Sequence, residues 1–447
     1  MRDITFLVFF LFCLGLTFRY PYAGILTWAW LSFMSPHQNA YSFALSIPFN
    51  MIVSVFTIAM LVAKGGLEKL PRNIVTTVML FMTVWTGITT AFGYDVDWSY
   101  RYFDLTLKTF MFVFLVMATS TTKVRIHALT WVMVASLAYY GVKGGIFCII
   151  HGGNYKVWGP TNTIISDNNQ LALAMVMILP MANYLRLQSS NRMIRLCLSC
   201  AMALQVLAIL SSYSRGSTIA LAMMLIMFWW SSKNRVITAI AGVAAIGIPL
   251  SMMPDNFWER MNSVNEAAAG KDESFQGRVD AWYVATAYAT DHFPIGAGFY
   301  APQLPELFDS YLPGHTPHAA HSIYFQVLGE HGFPALFAYL IMLAAGIFNF
   351  QYVAREARPW PGWSWMVDLA RMSRIALLSF YLGAAALSMA YYDVMLTLLA
   401  LSAVTRKMVD THKKELGLQS RVDIQRPMVK PVEGMENNIN LSSPSMS

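Results

Sequence analysis

The sequence predicts an all-α polytopic membrane protein, a bundle of 12 or 13 transmembrane helices with one large helical loop. Three observations carry this. The 447 residues are 56% hydrophobic and 12% charged, with mean hydropathy +0.47, whereas soluble domains carry about 25% charged residues. Apolar runs near the ~20 residues needed to cross a bilayer recur along the chain. Lys and Arg gather in alternate loops, as they do where loops alternate between cytoplasm and exterior.

In order, the apolar runs lie at 4–17, 21–35, 45–63, 74–93, 102–118, 126–149, 170–187, 194–212, 215–231, 235–253, 323–350, 374–390 and 391–405. The first two are short and fit either a hairpin or one interrupted span. No polar mature domain follows the first run, so it reads as a span and not as a cleaved signal. Lys64, Lys69 and Arg72, then Lys123 and Arg125, then Arg186, Arg192 and Arg195, then Lys233 and Arg235, then Arg355, Arg358, Arg371 and Arg374 mark the cytoplasmic loops. Residues 93–100, 151–169 and 254–321 fall on the other side and are poor in Lys and Arg. The chain thus divides into an N-terminal bundle (1–253), an outward loop (254–321), C-terminal helices (322–405) and a disordered cytoplasmic tail (406–447). No internal sequence repeat is visible.

Within the loop, NFWERMNSVNEAAAG reads as a short amphipathic helix. GRVDAWYVATAYAT (277–290) reads as a second, with Trp282, Ala285 and Ala289 on one face. FPIGAGFYAPQLP (293–305) is rich in Gly and Pro and must turn.

The net charge of +7 follows from cytoplasmic Lys and Arg and argues for no nucleic-acid partner. Cys13, Cys148, Cys197 and Cys200 all lie in apolar runs, so no disulfide framework is implied for the loop. Cys197 and Cys200 form a C-x-x-C inside a helix, where packing is the expected role.

The candidate chemistry sits where PHAAHSIYFQVLGEHG (317–332) brings the loop back to the membrane. His321 directly precedes the span 323–350 and has Ser322, Tyr324 and Gln326 as polar company, which makes it the candidate general base. His318 and His315 are weaker candidates, and no full metal-ligand set accompanies them. Arg215, in SSYSRGSTIAL, stands at an outward boundary against the positive-inside trend. It is either a snorkelling side chain or an anion clamp flanked by the hydroxyls of Ser211, Ser212, Ser214 and Ser217. Arg278, in QGRVDAW, is either paired with Asp280 or Glu273 or a second guanidinium for the same anion. Arg260 is weaker, with Glu259 beside it. Lys108, four residues after Asp104 inside a span, is either a functional charge or half of an i,i+4 pair. DNNQ (167–170) is a helix cap or a polar wall of the same cavity.

SYSRG at a span junction, GR…W in a large outward loop, G-x-G-x-x…P, and then H-S-x-Y-x-Q-x-L-x-E-x-G leading into a span resemble the O-antigen ligase/polymerase superfamily over about 160–345. The opening RYPYAGILTWAWLSFMSPHQ resembles the O-glycosylation ligase branch associated with the exosortase system. The resemblance implies a GT-C-like helical fold in the bacterial inner membrane, with the large loop periplasmic. It implies transfer of glycan from an undecaprenyl-diphosphate-linked donor to an acceptor hydroxyl of protein Ser/Thr, lipid or polysaccharide, without metal or other cofactor. His321 would activate the acceptor, and Arg215 and Arg278 would bind the diphosphate in one shared cavity. Many members carry Asn after the His where this chain has Ser322.

That chemistry is physically coherent. Two guanidiniums placed in advance stabilise the charge that builds on a departing diphosphate. An imidazole base helps a hydroxyl nucleophile by roughly 10²–10⁴-fold. Other readings are a polysaccharide polymerase of the same superfamily and a secondary transporter of an anionic solute, for which related halves would be expected. The topology predicts that a cysteine at Ser263 labels from outside and one at Ser447 does not. Labelling at Ser447 from outside would overturn it.

Overall fold

The computed structural model describes residues 2–40, 42–232, 234–251, 253–262 and 273–425, which are helical with no strand among them. The first ten apolar runs become α1 (Arg2–Arg19), α2 (Pro21–Met34), α3 (Phe49–Ala63), α4 (Ile74–Ala91), α5 (Val96–Thr119), α6 (Lys123–Ile150), α7 (Asn168–Gln188), α8 (Arg192–Leu210), α9 (Arg215–Ser231) and α10 (Arg235–Ser251). The loop holds α11 (Asp255–Asn262), α12 (Glu273–Asp291) and α13 (Pro305–Tyr311). The chain returns through α14 (Ile323–Glu356), α15 (Ser364–Ala384) and α16 (Asp393–Gln425). Among the described residues, six helices, α4 to α8 and α14, are long and apolar enough to cross a bilayer unaided, and α3 and α10 are apolar but shorter. The protein is a polytopic α-helical membrane protein, the class its composition predicts. The first two runs are two helices, broken at the extended backbone of Tyr20 before Pro21.

Helix starts follow from capping residues. Asn73, Asp95, Thr122, Asp167, Asn191 and Ser214 each accept a backbone N–H from the first turn that follows. α7 is the most enclosed helix, buried along Leu171–Ala182 and packed among α6, α8, α9 and α15. It fixes the bundle against which α14 and the loop are set.

α14 is broken near its start, and the break receives the loop. Gly332 has φ 77° and ψ −178°, and Pro334 follows. Proline carries no N–H, so the carbonyl of Glu330 has no i+4 donor in the helix. Gly298 N donates to it at 2.8 Å, and Ala297 N donates to Gly329 O at 2.8 Å. A Cβ on Gly332 would lie 2.3 Å from Pro294 O, so the close approach requires glycine. Tyr94 N donates to Ala297 O at 2.8 Å, tying the same segment to the α4–α5 turn. The Gly/Pro-rich stretch does turn, as its composition requires. Beyond it, Ala281, Val284, Tyr288, Leu307 and Phe308 form a small core belonging to the loop itself.

Two boundaries and the setting of two cysteines differ from the sequence expectation. α15 starts at Ser364, ten residues before the expected 374, because Trp365, Met366, Leu369 and Ala370 are buried there despite the charges between them. α16 runs to Gln425, through part of the segment expected to be a disordered tail. Its polar continuation is held from outside itself: Tyr352 Oη donates to Asp410 at 2.8 Å, Lys413 donates to Glu356 at 2.6 Å, and His412 stacks on Trp363. Cys197 and Cys200 are exposed on α8 and do not pack in the core. Residues 263–272, which include the end of the segment expected to form the first loop helix, the probe sites Ser263 and Ser447, and residues 426–447 lie outside the described residues.

Candidate active site

His321 occupies the last residue step between loop and membrane helix. On the loop side, Trp282 Nε1 of α12 donates to Ala320 O at 2.6 Å, and its ring stacks on Phe325 of α14 at 4.9 Å. On the helix side, the buried Ser322 is the N-cap position of α14, and its carbonyl accepts from Gln326 N at 2.8 Å. Between these anchors His321 has φ 42°. A non-glycine residue there costs on the order of 1–2 kcal/mol, a strain that persists only where the surroundings over-determine the backbone.

The imidazole is held below the ordinary histidine range. Burial is the main cause, the charge of Arg278 adds to it, and Asp167 works in the opposite direction; His318 lowers it slightly further. Three charged or titratable side chains from separate elements therefore act on one ring. The result is a neutral imidazole at neutral pH, the form that accepts a proton. Arg278 comes from α12. Asp167 caps α7, accepting from Asn169 N at 2.8 Å. The ring of His318 lies against Gly277, where a Cβ would sit 2.5 Å from its Cδ2. His315 Nδ1 meets Asp280 at 2.9 Å. Burial pushes the Asp280 carboxyl up, but hydrogen bonds from His315 and Gln276 outweigh it and hold the group below its ordinary value.

Arg215 is the first residue of α9. Ser211, Ser212, Ser214 and Ser217 around it are all buried. Ser214 caps the helix through Ser217 N at 3.3 Å, and Tyr213 holds φ 59°. The junction is bonded to the start of α7: Asn168 Nδ2 donates to Ser212 O at 2.6 Å and Ser217 Oγ donates to Asn169 O at 3.2 Å. Arg215 thus begins a helix laced to the turn that carries Asp167. Asp167 of DNNQ caps α7, one of its two readings, and its charge also acts on His321, which fits the other.

The remaining candidates separate. Lys108 pairs with Asp104, both about half exposed, and none of the described bonds joins it to the surroundings of His321. Tyr324 Oη donates to Tyr381 O at 3.3 Å, into the bundle. Ser322 makes no side-chain cap bond, so the backbone anchor from Trp282 does the positioning. Sequence reasoning missed two features. One is that, within DNNQ, the charge of Asp167 acts on the His321 ring itself. The other is the buried Glu330, whose carboxylate accepts from Tyr300 N at 3.1 Å and Tyr391 Oη at 2.8 Å. Glu330 also borders a small cavity of about 30 Å³ that reaches His318. The spacing H-S-x-Y-x-Q-x-L-x-E held the signal for Glu330.

Residues 200–340 match the family model described as O-antigen ligase. The chain carries an O-antigen ligase domain. The match supports the O-antigen ligase/polymerase superfamily and, in general terms, a glycosyltransferase-like membrane enzyme. Residues 1–190 match DUF5935, a family of unknown function. No curated protein matches the chain. Arg215, Arg278 and His321 all fall inside the ligase domain, whereas Asp167 and Lys108 fall inside the other matched region. The electrostatic setting of His321 is therefore assembled from both.

Asp167→Asn should keep the α7 cap, since Asn and Asp cap comparably, while removing the charge. The His321 pKa then falls further. Acting as a general base, His321 would work in its neutral form, which is lost as pH falls through that pKa, so the acid limb of the rate profile should move to lower pH. Arg278→Gln should move it to higher pH. An acid limb unmoved by Asp167→Asn, or moved upward, would contradict the assigned environment.

Proposed function

We propose that the protein is an O-glycosylation ligase. It transfers glycan from an undecaprenyl-diphosphate-linked donor to an acceptor hydroxyl at the periplasmic face of the bacterial inner membrane. The observation that carries this reading is the neutral, backbone-anchored imidazole of His321, set under the opposed charges of Arg278 and Asp167 at the membrane edge. The ligase domain around it supports the class. The opening residues, which resemble exosortase-associated O-glycosylation ligases, favour a hydroxyl acceptor outside the cytoplasm.

In this mechanism His321 takes the hydroxyl proton as the acceptor oxygen attacks the anomeric carbon. The carbon–oxygen bond to the diphosphate breaks, and the diphosphate leaves without needing a proton. Arg215 and Arg278 converge on that leaving group, each offering a planar fork of donors. One direct displacement inverts the anomeric centre. Donor and acceptor supply all the chemistry with the chain's own side chains, and the carboxylate of Asp167 steadies the imidazolium formed after proton transfer.

In proteoliposomes with lipid-linked donor, His321→Ala should lower the transfer rate by roughly 10²-fold or more with normal insertion. Arg215→Lys and Arg278→Lys should each impair turnover although charge is kept, because the fork is lost. His318→Ala should be mild. Transfer by His321→Ala above about a tenth of the wild-type rate would remove His321 as the base.

A further inference from the structure

A second recess, away from His321, lies between α9 and α10, with a volume of about 510 Å³. On α9 it is lined by Ala222, Leu225, Ile226 and Trp229, an i, i+3, i+4, i+7 stripe on a helix whose buried residues are Ser217, Ala220, Leu221 and Met224. On α10 the lining includes Gly242 and Gly247. Besides the indole N–H of Trp229, the one polar group among the lining residues is the Thr238 hydroxyl, which is committed to Ser232 and Asn234. A groove so largely lined by hydrocarbon accepts hydrocarbon.

Two features make this a built recess. Nothing lies within 4 Å of where a Cβ would stand on Gly242 or Gly247, so no neighbour requires glycine at either position. Glycine weakens a helix relative to alanine, yet here it keeps the groove open. Among the described residues of α10, only Pro249 is buried, so α10 stands off the bundle and the gap beside α9 stays unfilled.

We propose that this groove receives the prenyl chain of the lipid-linked donor, an assignment that rests on the donor named under Proposed function. Position decides the occupant. Both walls lead to the guanidiniums assigned to the diphosphate. α9 begins with Arg215, and Ala222 lies seven residues further on, about 10 Å along the axis; Trp229 lies about 20 Å along it. The last turn of α10 leads directly into the loop that carries Arg278. A diphosphate held at Arg215 sends its tail along α9, and the stripe there is what the tail meets.

Gly242→Leu and Gly247→Leu fill the groove without a backbone clash, so both variants should fold. The experiment compares transfer from two donors with the same glycan, one on an undecaprenyl and one on a farnesyl diphosphate, in the same proteoliposomes. The groove assignment predicts that each variant raises KM for the long-chain donor about tenfold more than for the short one. That is what losing the burial of about two methylenes costs. A long-chain undecaprenyl diphosphate bearing a diazirine on its tail should also cross-link to α9 or α10 in the wild type and less so in Gly242→Leu. If the wild type transfers glycan and the variants shift KM equally for both donors, with unchanged cross-linking, the groove holds bulk lipid and the assignment is overturned while the ligase reading stands. If the wild type transfers from neither donor, the ligase reading itself fails and the assignment falls with it.

Discussion

The carbonyl of Glu330 is the point on which the outer part of this molecule depends. Pro334 removes its helical donor, and Gly298 from the loop supplies one at 2.8 Å. An unpaired backbone carbonyl inside a membrane helix costs several kcal/mol, so this bond ties the loop to α14. Ala297, Pro294 and Gly332 meet at the same break, and the carboxylate of Glu330 draws in Tyr300 and Tyr391. Once 293–300 is docked there, α12 is set against α14, and Trp282 reaches Ala320. The placement of His321 is the far end of that chain of constraints.

His321 shows what the constraints achieve. A flexible loop ending would let the residue relax to negative φ and follow the solvent. Here the backbone on both sides is fixed, the ring is partly withdrawn from water, and the residue keeps φ 42°. Burial and Arg278 keep the ring neutral, and Asp167 keeps it from being too weak a base. The carboxylate is that of the residue capping α7, a helix buried along most of its length, so one of the charges that tune the ring is anchored to the interior of the bundle.

Much of this was legible in the residues, because the membrane imposes simple rules. Span positions followed from apolar runs, and their starts from Asp, Asn, Ser and Thr at caps. His321 stood out because the loop returns to the membrane beside it, and Arg278 because it opens a loop helix; in the structure the charge of Arg278 acts on the His321 ring. DNNQ was legible as a polar stretch near the cavity, but the charge of Asp167 on His321 was not, since 154 residues separate them (321 − 167) and only packing unites them. The early start of α15 and the extension of α16 were hidden for a related reason. Their polar segments are stabilised by partners on other helices, such as Tyr352 and Glu356, and local periodicity carries no trace of those. Of the two readings open for Lys108, the i,i+4 pair with Asp104 one turn away is the one the structure contains.

The central claim is that the imidazole at position 321 is the base, held where the backbone is strained for any residue but glycine. His321→Gly removes the ring and suits the positive φ, so the fold is preserved or strengthened. Transfer by this variant should be measured in proteoliposomes with and without added imidazole across pH. The mechanism predicts a nearly inactive, well-folded variant whose transfer is restored by imidazole as the free base becomes abundant. Wild-type transfer by His321→Gly without imidazole would contradict it.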